Sequence, residues 1–187
     1  MTLHINRQLN LVVPIDQDHG TLYVFSMPIP RAVFEANFRI FSKTFALLYS
    51  EGGAITGPRL AAMYMRVVGE DMGLPNQVEA IFNEIRRLTN VLMPTPSGWA
   101  TKPWDDVVRE SLINEDDESE VLNSLAFFTL ASHMHKKTDL EEVLSGVSKL
   151  WGAQVTSLTL LEYRNSLPTS TPAEPIPMRA QRSSIPS

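Results

Sequence analysis

The sequence predicts a mainly α fold: a helical domain of about six helices, with an N-terminal β-hairpin and a disordered Pro/Ser-rich C-terminal tail. Three observations lead to this prediction. Apolar residues recur at spacings of three and four through most of the chain, which is the period of a helix with one buried face. Two short runs of β-branched and aromatic residues lie before residue 28. After residue 166, Pro, Ser and Thr dominate.

The N-terminal segment, residues 1–30, contains the predicted hairpin. Residues 9–15 are rich in Leu, Val and Ile, residues 21–27 are β-branched and aromatic, and turn-forming residues lie between them. Pro14 has no N–H to donate to a ladder, so its strand is predicted to lie at a sheet edge or to end there. Because a lone hairpin is marginal in water, we expect it to pack on the helical domain or to extend a partner's sheet.

The helical domain is predicted to span residues 31–166. Its first helix runs from Arg31 to Ser50, and the second begins at Pro58, whose missing N–H suits a first helical position. The third begins at Asn76, and its apolar face continues to Leu92. Asn114 is predicted to cap a long helix that reaches residue 137 and opens with an acidic run, which complements the helix dipole. The other predicted helices cover residues 104–112, 138–151 and 157–165.

The loop 94–98 is predicted to be anchored on the domain by Trp99 and Trp104. Four methionines on or near the second and third helices have two interpretations. They fill the core, or they form an adaptable surface for a partner, as Met-rich helix faces do. These residues are Met63, Met65, Met72 and Met93.

The tail, residues 167–187, lacks the apolar residues needed to offset its chain entropy, so it is predicted to be disordered alone. Such a segment is a linker or a peptide that becomes ordered on a partner. Its isolated apolar residues, with two from the hairpin, are the predicted partner-contacting residues: Leu22, Val24, Leu167, Pro168, Ile185 and Pro186.

The composition argues against several chemistries. The chain has no cysteine, which excludes disulfides, thiolate metal sites and a cysteine nucleophile. Its net charge of -5 argues against nucleic-acid binding, and no apolar stretch approaches the length of a membrane span. His133 and His135 are two residues apart, so on a helix they point to different faces. The acidic run 115–120 lacks the alternating ligands and central Gly of a calcium loop. We therefore predict no catalytic residues, no cofactor and no metal.

Several segments resemble one protein family. Residues 9–15 (Leu-Asn-Leu-Val-Val-Pro-Ile) and 21–35 (Thr-Leu-Tyr-Val-Phe-Ser-Met-Pro-Ile-Pro-Arg-Ala-Val-Phe-Glu) lead directly into the helical domain. With residues 41–46, 84–92, 150–158 and the ending Ser-Ser-Ile-Pro-Ser, they are similar to the tail assembly chaperones of long-tailed bacteriophages. The resemblance spans most of the chain.

The resemblance implies a small helical protein without catalytic activity. It would bind the tape-measure protein, keep the apolar helices of that protein soluble, and assist assembly of the tail-tube subunits in the cytoplasm of the bacterial host. Self-association is also expected. The alternative is a structural protein of the virion, such as a head–tail connector, tube or terminator component, whose hairpin and tail contact other phage subunits.

Overall fold

The strands and helices alternate in groups along the chain. The computed structural model describes residues 9–18, 20–50, 53–135 and 152–168. The elements are β1 (Asn10–Gln17), β2 (Gly20–Ser26), α1 (Arg31–Ala36), α2 (Phe38–Ser50), α3 (Gly53–Asp71), α4 (Pro75–Arg87), β3 (Thr89–Thr95), β4 (Gly98–Pro103), α5 (Trp104–Arg109), α6 (Glu115–Met134), β5 (Gln154–Thr156) and α7 (Leu160–Ser166).

The five strands form one antiparallel sheet in the order β4-β3-β2-β1-β5. The prediction of a mainly α fold with a single N-terminal hairpin is therefore wrong, because the protein has an α/β fold. The predicted hairpin is present as β1 and β2, and a second hairpin, β3 and β4, extends the sheet from β2. The second hairpin turns at Pro96 and Ser97, next to Gly98, whose φ of 121° a glycine adopts without strain.

The two faces of the sheet differ in what covers them. Alternate residues of β1 and β2, including Leu11, Val13 and Val24, pack with α1 to α6 in the main core. The residues that point the other way, including Val12 and Phe25, form a second and smaller cluster with Tyr163 of α7. The hairpin therefore shares one core with the helices, and α7 covers the opposite face.

The helix boundaries differ from the predicted ones in several places, of which four change the element itself. The predicted helix 31–50 is divided at Asn37, whose Nδ2 donates to the Val33 carbonyl and whose Oδ1 accepts from Gln77, both at 2.8 Å. Pro58 lies inside α3 rather than at its start. The third helix ends at Arg87, and the residues up to 92 enter β3. The last helix begins at Leu160 after a capping box at Thr159. The predicted helix 138–151 lies outside the described residues.

The contact between α3 and α4 depends on a glycine. A Cβ atom built on Gly69 would lie 2.4 Å from Cγ2 of Val78, a side chain that is itself buried in the core. A methyl group at that position would force the two helices apart, because a β-branched side chain in a helix has little rotamer freedom.

We expect Gly69→Ala to destabilise the protein, although alanine favours helix by about 1 kcal/mol. Overpacking of a core costs roughly 1–3 kcal/mol and should outweigh that gain. Urea unfolding of Gly69→Ala, Val78→Ala and the double variant measures the coupling between the two positions. The double variant should lose less free energy of unfolding than the two single variants lose in sum. Strict additivity would show that the two side chains do not clash.

Candidate functional site

The described residues among those predicted to contact a partner lie on the two opposite faces of the sheet. Leu22 and Val24 are buried in the main core. Leu167 packs against the small cluster on the opposite face of the sheet, and the Pro168 carbonyl accepts a hydrogen bond from Nε1 of Trp99 at 3.0 Å. Ile185 and Pro186 lie outside the described residues. The structure therefore places the four described residues in different clusters, and the role of all six in binding stays a prediction.

The two tryptophans predicted to anchor a loop contribute to different layers. Trp104 is 1% exposed and lies in the main core at the start of α5. Trp99 lies on the opposite face, where its ring centroid is 5.5 Å from that of Tyr23. The segment predicted as a loop is instead the second hairpin, so these side chains lie on strand β4 and at its end.

Four of the six large apolar side chains that are exposed among the described residues lie on α2 and α3. On α2, Phe38 is 51% exposed and Tyr49 is 52% exposed, and on α3 Met63 is 47% exposed and Val67 is 40% exposed. We call these four residues the α2–α3 surface. Exposed apolar side chains that form a contiguous patch are typical of sites of protein contact.

The arrangement of the two helices determines which exposed side chains lie close together. Consecutive helices α2 and α3 pack against each other, and a Cβ built on Gly57 would lie 3.9 Å from Leu48. Counting away from that contact along both helices places Val67 of α3 at the level of Phe38 of α2. Met63 precedes Val67 by one helical turn on the same face of α3. Phe38 and Val67 therefore lie towards one end of the helix pair, and Met63 lies near the middle of α3.

The four methionines divide between the two interpretations. Met65 is fully buried in the core. Met72 and Met93 are partly buried and pack against the core, whereas Met63 faces solvent. Core filling therefore explains three of the four, and Met63 is the one available for a partner. Its flexible thioether side chain suits a surface that adapts to different apolar sequences.

The two histidines near the end of α6 contact different neighbours. The ring of His133 stacks on Phe34 with centroids 4.5 Å apart, and the ring of His135 lies 5.9 Å from that of Phe45. Nδ1 of His133 also lies 3.1 Å from the Thr129 carbonyl. Among the described residues, no group of three or more His, Asp or Glu side chains is placed to hold a metal ion.

We expect His133 to make the stability of the protein depend on pH. Burial lowers the pKa of His133 below its ordinary value of 6.5, and hydrogen bonds with the backbone of Thr129 and Ile29 oppose this shift in part. The unfolded chain then binds a proton at higher pH than the folded chain does. Stability contributed by neutral His133 is therefore present above pH 6.5 and is lost as the pH falls below that value.

The melting temperature measured between pH 7.5 and pH 5.5 tests this expectation. It should fall across that window in the wild-type protein and fall less in His133→Gln, which does not titrate. The other described groups with a shifted pKa titrate outside this window. The pKa of Glu84 is lowered from 4.5 mainly by its hydrogen bond with Arg87, and those of Arg87 and Tyr163 are raised from values that already lie above the window. An identical fall in both proteins would show that His133 is not responsible.

The long helix α6 begins where the sequence predicted, at the start of its acidic run. The Asn114 side chain accepts a hydrogen bond from the Asp117 backbone N–H at 2.8 Å, which confirms the predicted cap.

Among the residues that the structure describes, no helix has the length and hydropathy needed to cross a membrane.

Comparison with known proteins adds no relative to these observations. No family model matches the sequence, and no curated protein and no solved structure is significantly similar to it.

Proposed function

We propose that this protein is a tail assembly chaperone of a long-tailed bacteriophage. It binds apolar helices of the tape-measure protein, keeps them soluble and assists tail-tube assembly in the host cytoplasm, without catalysing a reaction. The single observation that carries the proposal is the α2–α3 surface. A protein that holds apolar helices in solution needs exposed apolar side chains on a stable scaffold, and Phe38, Met63 and Val67 supply them.

The chemistry of the surface suits a helical partner. Helix recognition places apolar side chains of the partner, spaced by three and four residues, against a complementary apolar face. Met63 and Val67 are themselves one turn apart, so together with Phe38 they offer contacts over more than one turn of a docked helix. The net charge of -5 favours solubility of the free chaperone while this surface is exposed.

The resemblance of the quoted segments to tail assembly chaperones supports the same function. The resemblance also implied a small helical protein, and the five-stranded sheet corrects that part. The functional proposal therefore rests on the quoted segments and on the exposed helical surface, and not on the fold.

The second candidate is a structural protein of the virion, and one observation favours it. Among the described residues the outer edge of β1 pairs with β5 only over Asn10–Val12, and a strand of a neighbouring subunit would pair with the rest of this edge. Mass spectrometry of purified phage particles separates the two functions. A chaperone leaves before assembly is complete and should be absent from the particles, whereas a structural subunit should be present in a fixed ratio to the tube protein.

A further inference from the structure

The face of the sheet that carries α7 also carries a group of half-buried rings. Tyr23 of β2 and Trp99 of β4 lie with their ring centroids 5.5 Å apart and their planes tilted by 59°. Pro94 of β3 pairs directly with Trp99, so the side chains of both lie on the same face. All three side chains are half-buried. We call these three residues the Tyr23–Trp99 platform, which extends across three neighbouring strands.

The end of α7 brings the chain to this platform. The Tyr163 ring of α7 lies 6.1 Å from that of Tyr23, and Leu167, directly after the helix, packs against the same cluster. Nε1 of Trp99 donates a hydrogen bond to the Pro168 carbonyl at 3.0 Å. The platform therefore holds the backbone of the chain where the Pro/Ser-rich tail begins.

The backbone at this contact has the geometry of a polyproline II helix. Leu167 has φ −70° and ψ 141°, close to the ideal values of about −75° and +145°. The proline that follows Leu167 favours this conformation. A polyproline II helix makes no internal hydrogen bonds, so its carbonyl groups are free to accept from a side chain such as that of Trp99. Proline-rich segments in this conformation bind to surfaces lined by aromatic side chains, which the platform offers.

The sequence after Pro168 continues with prolines at the spacing of this helix. Residues 169–177 read Thr-Ser-Thr-Pro-Ala-Glu-Pro-Ile-Pro. Pro172 and Pro175 are three residues apart, and since polyproline II has three residues per turn, their rings point to the same side. Such a segment places Pro172 about 12 Å from Pro168, whereas β2 and β4 are about 10 Å apart. Pro172 is therefore within reach of both aromatic rings.

We propose that residues 169–175 bind to the Tyr23–Trp99 platform of the same chain as a polyproline II segment, with Pro172 and Pro175 packed against its rings. The hydrogen bond from Trp99 to the Pro168 carbonyl fixes the start of the segment, so the residues that follow are held near the platform at a high effective concentration. The platform takes the place of the partner on which a tail of this composition becomes ordered.

This inference is independent of the function proposed for the α2–α3 surface, because α2 and α3 pack on the opposite face of the sheet. NMR relaxation of the full-length chain tests it. We expect backbone order parameters above about 0.6, the limit of a flexible backbone, at the amides between residues 169 and 174. We also expect nuclear Overhauser contacts from Pro172 and Pro175 to the rings of Tyr23 and Trp99. Lower order parameters, or an ordered segment without these contacts, would overturn the proposal.

Two double variants of the full chain show whether the proline spacing matters. Pro172→Gly with Pro175→Gly should lower the order parameters of residues 169–171 below about 0.6, because glycine has no preference for polyproline II. Pro177→Gly with Pro186→Gly removes the same number of prolines outside the segment and should leave these values unchanged. Circular dichroism melting confirms that both variants fold. The same order parameters in both variants would contradict binding through Pro172 and Pro175.

Dilution distinguishes binding within one chain from exchange of tails between two copies. Intramolecular binding does not depend on protein concentration, so the order parameters should be the same after a dilution of about tenfold. A fall on dilution would assign the bound segment to a neighbouring copy and would overturn the intramolecular proposal.

Discussion

Replacing Trp104 with alanine is expected to lower the free energy of unfolding by about 3–5 kcal/mol, the range observed when a large buried aromatic side chain is removed. Trp104 is 1% exposed and is among the largest fully buried side chains of the described chain. It begins α5 directly after β4 and so joins the second hairpin to the main core. The cavity left behind would be bordered by both helices and sheet, which limits how far either can relax.

Trp99→Ala provides the matched control for this substitution. The Trp99 side chain is half-buried on the opposite face of the sheet, where it contacts Tyr23 and donates to Pro168. Its removal should lower the free energy of unfolding clearly less than removal of Trp104, because folding buries less of the apolar surface of Trp99. Urea unfolding followed by circular dichroism measures both. A loss for Trp104→Ala no larger than that for Trp99→Ala would contradict the position of Trp104 in the core.

The second large effect concerns binding rather than stability. The double variant Met63→Asp with Val67→Asp should weaken binding to the tape-measure protein at least about tenfold, because it places two charges where an apolar helix would dock. Its melting temperature should change little, since both side chains are exposed. Pull-down from cells that co-express the two proteins gives the amount bound, and circular dichroism gives the stability.

The control for this variant adds the same charge at the same spacing elsewhere. Asn76 and Ala80 lie one turn apart on the exposed face of α4, so Asn76→Asp with Ala80→Asp matches the charge, the spacing and the secondary structure. Wild-type binding is expected for this control. If both double variants lose binding equally, the loss reflects net charge and not the α2–α3 surface.

The features that the sequence predicted correctly depend on local chemistry. The β1–β2 hairpin follows from two β-rich runs separated by turn-forming residues, although the strands extend to Gln17 and Gly20 and leave no longer loop. The expectation that the strand of Pro14 lies at a sheet edge or ends there is wrong, because β1 continues to Gln17 and lies between β2 and β5. The α6 cap follows from the hydrogen-bonding preference of Asn114 for the N–H groups of the first turn. In each case the residues that determine the structure are neighbours in the chain.

The second hairpin was missed because its signal overlaps with that of a helix. Leu88 and Leu92 continue the spacing of four that describes the apolar face of α4, so periodicity alone extends the helix through them. The structure ends the helix at Arg87, and the Thr89 hydroxyl donates to the Ile85 carbonyl at 2.8 Å. The residues that follow pair with β2, more than 60 positions earlier, a contact that local patterns do not encode.

Strand β5 shows the same limit more strongly. It contains three residues, and its pairing with Asn10–Val12 connects opposite ends of the chain. The candidate surfaces were beyond sequence analysis for a related reason. Met63 and Met65 are equally apolar, and only the packing of α3 against α2 and α6 decides that Met65 is buried and Met63 is exposed.

The central claim is that this protein keeps the tape-measure protein in solution. The most direct measurement is the soluble fraction of the tape-measure protein from the same phage, expressed alone and together with the wild-type chain, determined by centrifugation and quantitative gel analysis. Co-expression is expected to move most of the tape-measure protein into the soluble fraction and to yield a complex that co-purifies with this chain. An unchanged soluble fraction with no complex would contradict the proposed function.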